Sequence, residues 1–278
     1  MSDYSKFDLY SVSKPADFVL HVQFNRPKQL NAVNPDSYRQ FKQIFDIAEF
    51  DKDVRVIVLS GQGRAFCAGL DLNAVAGNIT SDDDDDEDSS RKAIHQHAFI
   101  KEFQECIGRP HTINKPVIAV AHGPSIGLAI DILSSVDIRI ASKDAILSIR
   151  EIAIGMAADI GTLQRLPKVV NNLGWLKEVA LTGRNFTPEE AKEQGLINSV
   201  AETKDKAVSD AIELAKTIAA HSPVASHGTK KAINYAIDHS VPDSLEQIAE
   251  FNAHAVGGDL VKGAMSARAK EKPTYAKL

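Results

Sequence analysis

Two carboxylic acids flank an apolar stretch in the middle of the chain. Glu151 begins the segment EIAIGMAAD and Asp159 ends it, with Gly155 between them. An ionised carboxylate among apolar residues is costly unless it is paired, protonated or used in chemistry. Two carboxyl groups in one pocket can serve as an acid and a base when their surroundings separate their pKa values. The two acids are therefore candidates for ion pairs, for protonated groups or for a proton-transfer site, and the glycine allows a bend that brings both to one pocket.

Two glycine-containing loops, SGQGRAFCAGLDL at 60–72 and HGPSIGLAID at 122–131, each follow an apolar run. Neither loop has the glycine spacing of a phosphate-binding loop. Each could present a backbone N–H at the start of a helix, where donors have no partner within the helix. Two such donors aimed at one oxygen would form an oxyanion hole. The alternative is an ordinary turn between a strand and a helix in each case.

The elements around these loops predict an α/β fold. The runs at 18–24, 54–59 and 116–121 have the residue pattern of strands. Pro35 begins a helical spacing for which Asn34 is a suitable N-cap, and Thr187 begins a capping box. The recurrence of strand, glycine loop and helix is typical of α/β architecture.

From Asp205 to Ala269 apolar residues recur at helical spacing. The sequence therefore predicts a core over 1–200 and a helical oligomerisation region over 201–278. Within the core, an acidic run at 82–88 predicts a solvated, mobile loop at about 78–91. A calcium site or a partner-binding tract is the alternative for that run, although the spacing of an EF-hand is lacking.

The composition excludes several classes of protein. The 278 residues are 44% hydrophobic and 25% charged, and a net charge of -5 argues against nucleic acid as a partner. Two cysteines without a close-set cysteine or histidine cluster predict neither a disulfide framework nor a metal site. We expect no membrane span, because no apolar run approaches about 20 residues, and no secretion signal at the N-terminus.

Four separated segments carry a family resemblance: NRPKQLNAV at 25–33, AFCAGLDL at 65–72, PVIAVAHGPSIGLAID at 116–131 and ADIGTLQRLPKVV at 158–170. In this order and spacing they resemble the crotonase, or enoyl-CoA hydratase/isomerase, superfamily. The resemblance implies a spiral of strand–strand–helix turns with a helical C-terminal trimerisation region. It also implies a fatty acyl-CoA thioester as ligand, a homotrimer or dimer of trimers, no metal, and no cofactor apart from the coenzyme A of the substrate.

The same resemblance assigns roles to individual residues. It places the oxyanion donors at the N–H groups of Leu70 and Leu128, the latter in Gly127-Leu128-Ala129 where relatives commonly have three glycines. It makes Glu151 and Asp159 catalytic, with Asp131 assisting. The residues implied in substrate binding are Ala68, Gly69, Asp71, Leu72, Gly127 and Lys28, although Lys28 could equally be a solvated surface lysine.

The set of three acids looks most like the Δ3,5-Δ2,4-dienoyl-CoA isomerase branch, which conjugates a 3,5-dienoyl-CoA during oxidation of unsaturated fatty acids. In that reaction Asp159 would take the C2 proton and Glu151 would protonate C6 of a dienolate. An enoyl-CoA hydratase or Δ3,Δ2-enoyl-CoA isomerase is the alternative, and a non-catalytic acyl-CoA-binding or scaffold protein is another.

Each acid also has a structural alternative. Glu151 could form an ion pair with Arg150 or Arg165. Asp159 could be the N-cap of a following helix. Asp131 could lie on a helix surface or be a buried partner of His122.

The chain ends in Ala276, Lys277 and Leu278. This tripeptide is a conservative variant of the S-K-L signal that the peroxisomal import receptor reads. Together with a fatty acyl-CoA substrate it predicts the peroxisomal matrix, although many chains end in Lys-Leu by chance.

Overall fold

The computed structural model describes residues 3–74 and 88–278. Its strands are β1 Tyr10–Ala16, β2 Val19–Phe24, β3 Val56–Gly61, β4 Val117–Ala121, β5 Pro124–Ile126, β6 Ile138–Ser142, β7 Ile146–Ser148 and β8 Ser199–Ala201. Its helices are α1 Pro35–Phe50, α2 Ser89–Thr112, α3 Leu128–Ser135, α4 Thr162–Arg165, α5 Leu173–Thr182, α6 Pro188–Glu193, α7 Lys204–Ala219, α8 Pro223–Ala236, α9 Val241–Ala255 and α10 Gly258–Ala269. Short 3-10 turns occupy Pro27–Gln29, Glu151–Ile154 and Leu166–Lys168.

The main sheet has the strand order β1-β2-β3-β4-β6-β8. The β1–β2 pair is antiparallel and every other neighbouring pair in this sheet is parallel. The strands β5 and β7 form a second, two-stranded parallel sheet. Parallel strands need crossover connections, and the glycine loops therefore lie where β3 and β4 leave the main sheet.

Alternate residues of the central strands pack into two apolar cores, one on each face of the sheet. Ile57 and Leu59 belong to a core that includes Tyr38, Phe41 and Phe45 of α1. Val56 and Val58 face the other way, against four buried alanines of α7, namely Ala207, Ala211, Ala215 and Ala219. Burial on both faces accounts for the continuously β-branched and apolar sequence of these strands.

Local signals in the sequence correspond to element ends in the structure. Asn34 accepts the N–H of Ser37 and caps α1, as predicted. Thr187 accepts the N–H of Glu190 at the start of α6, where the capping box was expected. The strand β1 contains Pro15 and lies at the edge of the sheet, where a missing N–H is tolerated.

The helix α2 begins at Ser89, within the loop that the sequence predicts at about 78–91. Asp88 accepts the N–H groups of Ser90 and Arg91, so that residue 88 caps the helix and residues 89–91 form its first turn. The remainder of that predicted loop, up to residue 87, lies outside the described residues.

The region after residue 200 divides into two parts. Its first helix, α7, completes the core on one face of the sheet, so the predicted boundary at 200 does not separate two cores. The later helices α8–α10 expose large apolar side chains: Ile233, Val241, Leu245, Leu260, Val261 and Met265. Lys230 anchors α8 to the rest of the chain, because its buried ammonium group donates to the carbonyls of Pro110 and Lys115. Within the described ranges, no helix is long and apolar enough to cross a bilayer.

Candidate active site

The two glycine loops lie side by side. Cys67 and Ser125 form a parallel bridge, in which the N–H of Cys67 donates to Pro124 O (3.2 Å) and that of Ile126 to Cys67 O (3.0 Å). Gly69 has a φ of +101°, and a Cβ at this position would lie 3.0 Å from Ile126 O and 3.9 Å from the nitrogen of Leu128. The close approach of the loops therefore depends on glycine at position 69.

Within residues 3–74 and 88–278, the backbone N–H groups of Leu70 and Leu128 have no acceptor. Leu70 and Val33 form a parallel bridge. Its two hydrogen bonds run from Val33 N to Gly69 O and from Asp71 N to Val33 O, both 2.9 Å, so neither uses the N–H of Leu70. Leu128 is the first residue of α3, so its N–H has no partner within the helix. Among the described residues neither N–H donates a hydrogen bond. The two donors expected from the sequence are therefore available to a ligand oxygen.

Glu151 lies against the start of α3. A Cβ on Gly127, which has a φ of +57°, would be 3.3 Å from Oε1 of Glu151. The other oxygen, Oε2, is buried without a hydrogen-bond partner in the part of the chain that the structure describes. Burial raises the pKa of Glu151, and the negative charge of Asp159 raises it further.

Asp131 is a buried carboxyl group in the first turn of α3. It is 1% exposed, and its Oδ1 accepts the backbone N–H of Thr162 at 2.7 Å. Burial, and next the negative charge of Glu151, raise the pKa of Asp131 to about 7. Asp131 and Glu151 are thus close enough to oppose each other's ionisation.

Asp159 lies at the other end of the segment that Glu151 begins. The 3-10 turn Glu151–Ile154 ends at Gly155 with a φ of +86°, which is the bend that the sequence predicts. Asp159 is half-buried, and burial raises the pKa of its carboxyl group. Glu151 therefore interacts electrostatically with Asp131 and with Asp159.

The structural alternatives for these acids are wrong. Arg150 donates to Gly183 O and Asn185, and Arg165 donates to Ile160 O, so neither arginine pairs with Glu151. The N–H at the start of α4 is accepted by Asp131 and not by Asp159.

His122 is not the partner of Asp131. Its Nε2 lies 3.3 Å from Gly63 O. Burial, and next the positive charge of Lys204, lower the pKa of His122 to about 4.

The predicted substrate-binding residues occupy different environments. Asp71 forms an ion pair with Arg26 at 3.0 Å and so stabilises its own loop. Ala68 donates its N–H to Leu30 O at 3.0 Å. Leu72 is 52% exposed, and Lys28 is exposed on the 3-10 turn that precedes Leu30. The resemblance is the sole basis for assigning Lys28 to the ligand.

Three residues of the site were missed by the sequence analysis. Arg26 pairs with Asp71, Thr162 donates to Asp131, and Gln104 donates its side-chain amide to Asp159 O at 2.7 Å. Arg26 and Thr162 lie inside motifs of the family resemblance, whereas Gln104 lies on α2 without any local signal. Within residues 3–74 and 88–278 no cluster of three metal-binding side chains is found.

A large cavity lies apart from the three acids. It encloses ≈ 950 Å³ between α8 and the start of β6, and none of the three acids lines it. Its lysines are already paired, since Lys230 bonds to Asp137 and Lys168 to Asp238. The acid cluster, with its unused N–H groups, is the better candidate for chemistry.

Residues 16–277 match the family described as enoyl-CoA hydratase/isomerase. The chain belongs to this family. It is 36% identical over 282 residues to the mitochondrial Δ3,5-Δ2,4-dienoyl-CoA isomerase of Rattus norvegicus, covering 100% of this chain and 85% of that protein. It is 37% identical to the peroxisomal Δ3,5-Δ2,4-dienoyl-CoA isomerase of Arabidopsis thaliana, covering 94% of this chain and 93% of that protein.

A solved structure supports the fold expected for an enoyl-CoA hydratase/isomerase. The crystal structure of enoyl-CoA hydratase from Bacillus anthracis superposes with a TM-score of 0.86 at 26% identity, over 97% of this chain and 99% of that one. The crotonase-like α/β fold predicted from the four motifs is therefore confirmed. The family acts on acyl-CoA thioesters, which is the ligand class expected from the sequence.

Proposed function

We propose that this protein is a Δ3,5-Δ2,4-dienoyl-CoA isomerase that converts a 3,5-dienoyl-CoA into the conjugated 2,4-dienoyl-CoA. The observation that carries the proposal is the position of Glu151. Its Oε1 lies 3.3 Å from the point that a Cβ added to Gly127 would occupy, and its carboxyl group interacts with Asp159. Glu151 therefore lies against the residue that precedes the donor Leu128. The names of the rat and Arabidopsis relatives support the same activity.

The N–H groups of Leu70 and Leu128 bind the thioester oxygen of the substrate in this proposal. Removal of a proton from C2 creates a dienolate whose negative charge reaches that oxygen. Fixed N–H donors stabilise such a charge, and one donor is typically worth a factor of about 10²–10³ in rate.

Asp159 acts as the base and Glu151 as the acid. An ionised Asp159 raises the pKa of Glu151 in addition to the effect of burial, so the pair favours a protonated Glu151 and an ionised Asp159. Asp159 takes the proton from C2, and the electron pair of that C–H bond moves into the dienolate. The dienolate then takes a proton at C6 from Glu151, which leaves the double bonds at C2 and C4.

Asp131 supports the pocket. Its bond to the N–H of Thr162 holds the segment after Asp159 against α3. Burial and the negative charge of Glu151 raise the pKa of Asp131, so it binds a proton more tightly when Glu151 is ionised.

The reaction moves protons within one substrate and is redox-neutral, so we propose no cofactor beyond the coenzyme A of the substrate. Lys28, exposed near the Leu30–Ala68 contact, is proposed to meet the coenzyme A moiety. Asp71, Leu72, Ala68 and the glycines Gly69 and Gly127 form the loops around the thioester.

Hydration is the competing activity. A hydratase requires an ordered water between two acids, whereas here a third acid, Asp159, raises the pKa of Glu151. The decisive experiment compares ultraviolet absorbance of the purified protein with 3,5-dienoyl-CoA against hydration of a trans-2-enoyl-CoA. A gain of conjugated-diene absorbance that greatly exceeds the hydration rate supports the proposal, and the reverse ratio overturns it. Binding of acyl-CoA with neither activity would indicate the scaffold alternative.

The exposed apolar side chains of α8–α10 support a homotrimer or a dimer of trimers, since large exposed apolar surface commonly marks a subunit contact. For location we propose the peroxisomal matrix, with Ala276, Lys277 and Leu278 read by the import receptor. The tail is held on the protein, because Arg55 donates to Tyr275 O (2.8 Å) and Ala276 O (3.0 Å) and Lys277 pairs with Asp53. Leu278 itself is 48% exposed.

A further inference from the structure

One side chain of the helix α2 forms a hydrogen bond with the segment that carries Asp159. The amide nitrogen Nε2 of Gln104 donates to the backbone carbonyl of Asp159 at 2.7 Å, across 55 positions in the sequence. The other end of the amide, Oε1, accepts from the ammonium group of Lys101 at 3.1 Å. Since an ammonium group can only donate, Lys101 fixes which end of the amide faces Asp159.

The backbone after Asp159 is held at two further points. Arg165 donates to Ile160 O (3.4 Å), and Asp131 accepts the N–H of Thr162 (2.7 Å). The guanidinium of Arg165 lies over Gly108 of α2, where a Cβ would be 2.9 Å from Nη2. Gly108 lies one helical turn after Gln104, so the same face of α2 contacts this segment twice. Of these contacts, the bond from Gln104 is the one that reaches Asp159 itself.

Within the described residues, the carboxylate of Asp159 accepts a hydrogen bond from its own backbone N–H. Its position is therefore set by its backbone, in contrast to Asp131, whose carboxylate is bonded to Thr162. We propose that Gln104 is a positioning residue, which orients Asp159 for removal of the C2 proton by holding the Asp159 carbonyl. This inference rests on the proposed isomerase activity for its catalytic consequence.

Loss of the bond has a defined kinetic signature. A displacement of about 1 Å in a reacting group can cost about 10² in rate. The oxyanion donors Leu70 and Leu128 lie on other loops, so substrate binding is largely retained and kcat falls much more than KM changes. Greater access of water to Asp159 also removes part of the burial that raises the pKa of its carboxyl group. Because the base must be ionised, the acidic limb of the kcat profile then moves to lower pH.

The test uses Gln104→Met, which keeps the length of the side chain and removes the donor, and Gln104→Glu, which turns an acceptor toward the carbonyl. The matched control is Gln96→Glu, which makes the same change of charge on an exposed position of α2. We expect kcat to fall about 10–100-fold in both Gln104 variants with KM within about threefold, and the control to stay within about twofold. Circular dichroism and thermal unfolding check that each variant is folded.

A double variant separates positioning from a general loss of structure. If Gln104 acts only through Asp159, Gln104→Met in an Asp159→Asn background lowers the residual kcat no further. The inference is overturned if Gln104→Met lowers kcat in the Asp159→Asn background by the same factor as in the parent. It is also overturned if Gln104→Met is folded and has the parental kcat and pH profile.

One measurement stays informative if the isomerase activity fails. Carbon-13 NMR can follow the titration of the Asp159 carboxyl group in the parent and in Gln104→Met, with Asp159→Asn identifying the resonance. A shift of that titration to lower pH in Gln104→Met supports the positioning role whatever the substrate. An unchanged titration contradicts it, even if dienoyl-CoA is turned over.

Discussion

The carboxylate of Asp131 accepts the backbone N–H of Thr162 at 2.7 Å, and both residues are buried. This bond joins α3, whose first residue supplies one proposed oxyanion donor, to the helix that begins three residues after Asp159. The acid that accepts the first N–H of α4 is thus Asp131, which is distant in sequence. Asp159, the nearer candidate, does not cap the helix, and its carboxylate can face a substrate. One buried hydrogen bond, made by the supporting acid, therefore connects the helix of the oxyanion donor Leu128 to the segment that follows the proposed base.

Replacing either proposed catalytic acid by its amide should nearly preserve the fold and abolish most activity. Glu151→Gln and Asp159→Asn keep the shape of the side chain, and a positioned acid or base typically contributes about 10²–10⁴ in rate. Asp159→Asn should also lose exchange of the C2 proton with deuterium, whereas Glu151→Gln should retain some exchange without forming conjugated product. Proton NMR of the substrate measures the exchange, and circular dichroism checks the fold. Parental turnover in both folded variants would show that the two carboxylates are structural.

Removing the charge of Asp131 should change the pH dependence of stability. The pKa of Asp131 is raised from its ordinary 3.8 to about 7, so the folded state binds the proton more tightly than the unfolded state. Ionisation of Asp131 therefore destabilises the fold, fully above about pH 7 and not at all below about pH 4. Asp131→Asn cannot ionise and still offers an oxygen to Thr162.

The free energy of unfolding of Asp131→Asn, relative to the parent, should accordingly rise between pH 4 and pH 7, with a ceiling of about 4 kcal/mol. Urea unfolding at fixed protein concentration measures it, and Asp17→Asn, in an exposed turn, is the control. Activity should fall less than in Asp159→Asn. If the difference in free energy of unfolding between Asp131→Asn and the parent does not change with pH, the pKa of Asp131 is not raised by burial.

Adding a methyl group at Gly127 should disturb the site more than the fold. The position has a φ of +57°, and a Cβ would lie 3.3 Å from Oε1 of Glu151. In Gly127→Ala the acid and the N–H of Leu128 cannot both keep their positions, so kcat should fall at least about tenfold. Gly195→Ala is the control, because its φ of +85° is also positive and the three atoms nearest to its Cβ would belong to Asn171. Equal effects of the two variants on kcat would contradict the role of Gly127 in the site.

The sequence predicts the parts of this site that local patterns encode. Asn34 and Thr187 are recognisable caps. Asp131, Asp159 and most of the two glycine loops lie in motifs whose spacing is characteristic of the family, and Glu151 is recognisable as an acid at the start of an apolar segment. Gln104 is different, because its contact with Asp159 spans 55 positions and a glutamine on an amphipathic helix has no distinctive spacing. The alanines of α7 lie in the region that the helical spacing predicts to make oligomer contacts. Their small side chains in fact allow α7 to pack closely on the strands.

Charge substitutions on the C-terminal helices should disrupt assembly. Leu245 on α9 and Leu260 on α10 are 63% and 59% exposed, and a buried glutamate at either position would be costly in a subunit contact. Sedimentation velocity at micromolar concentration should give a trimer or a dimer of trimers for the parent and smaller species for Leu245→Glu combined with Leu260→Glu. Phe50→Glu, at the exposed end of α1, is the control. A monomeric parent would contradict the predicted oligomer.

Deleting Leu278 should leave a fluorescent fusion of this protein in the cytosol, because the import receptor reads the terminal tripeptide as a unit. The fluorescent protein is placed at the N-terminus so that the tail stays terminal. Asp53→Asn is the control, since it removes the ion pair with Lys277 and leaves the tripeptide intact. If the tripeptide is the signal, the control fusion remains punctate and co-localises with a peroxisomal marker. Unchanged puncta after deletion of Leu278 would show that the C-terminal tripeptide does not direct this protein to peroxisomes.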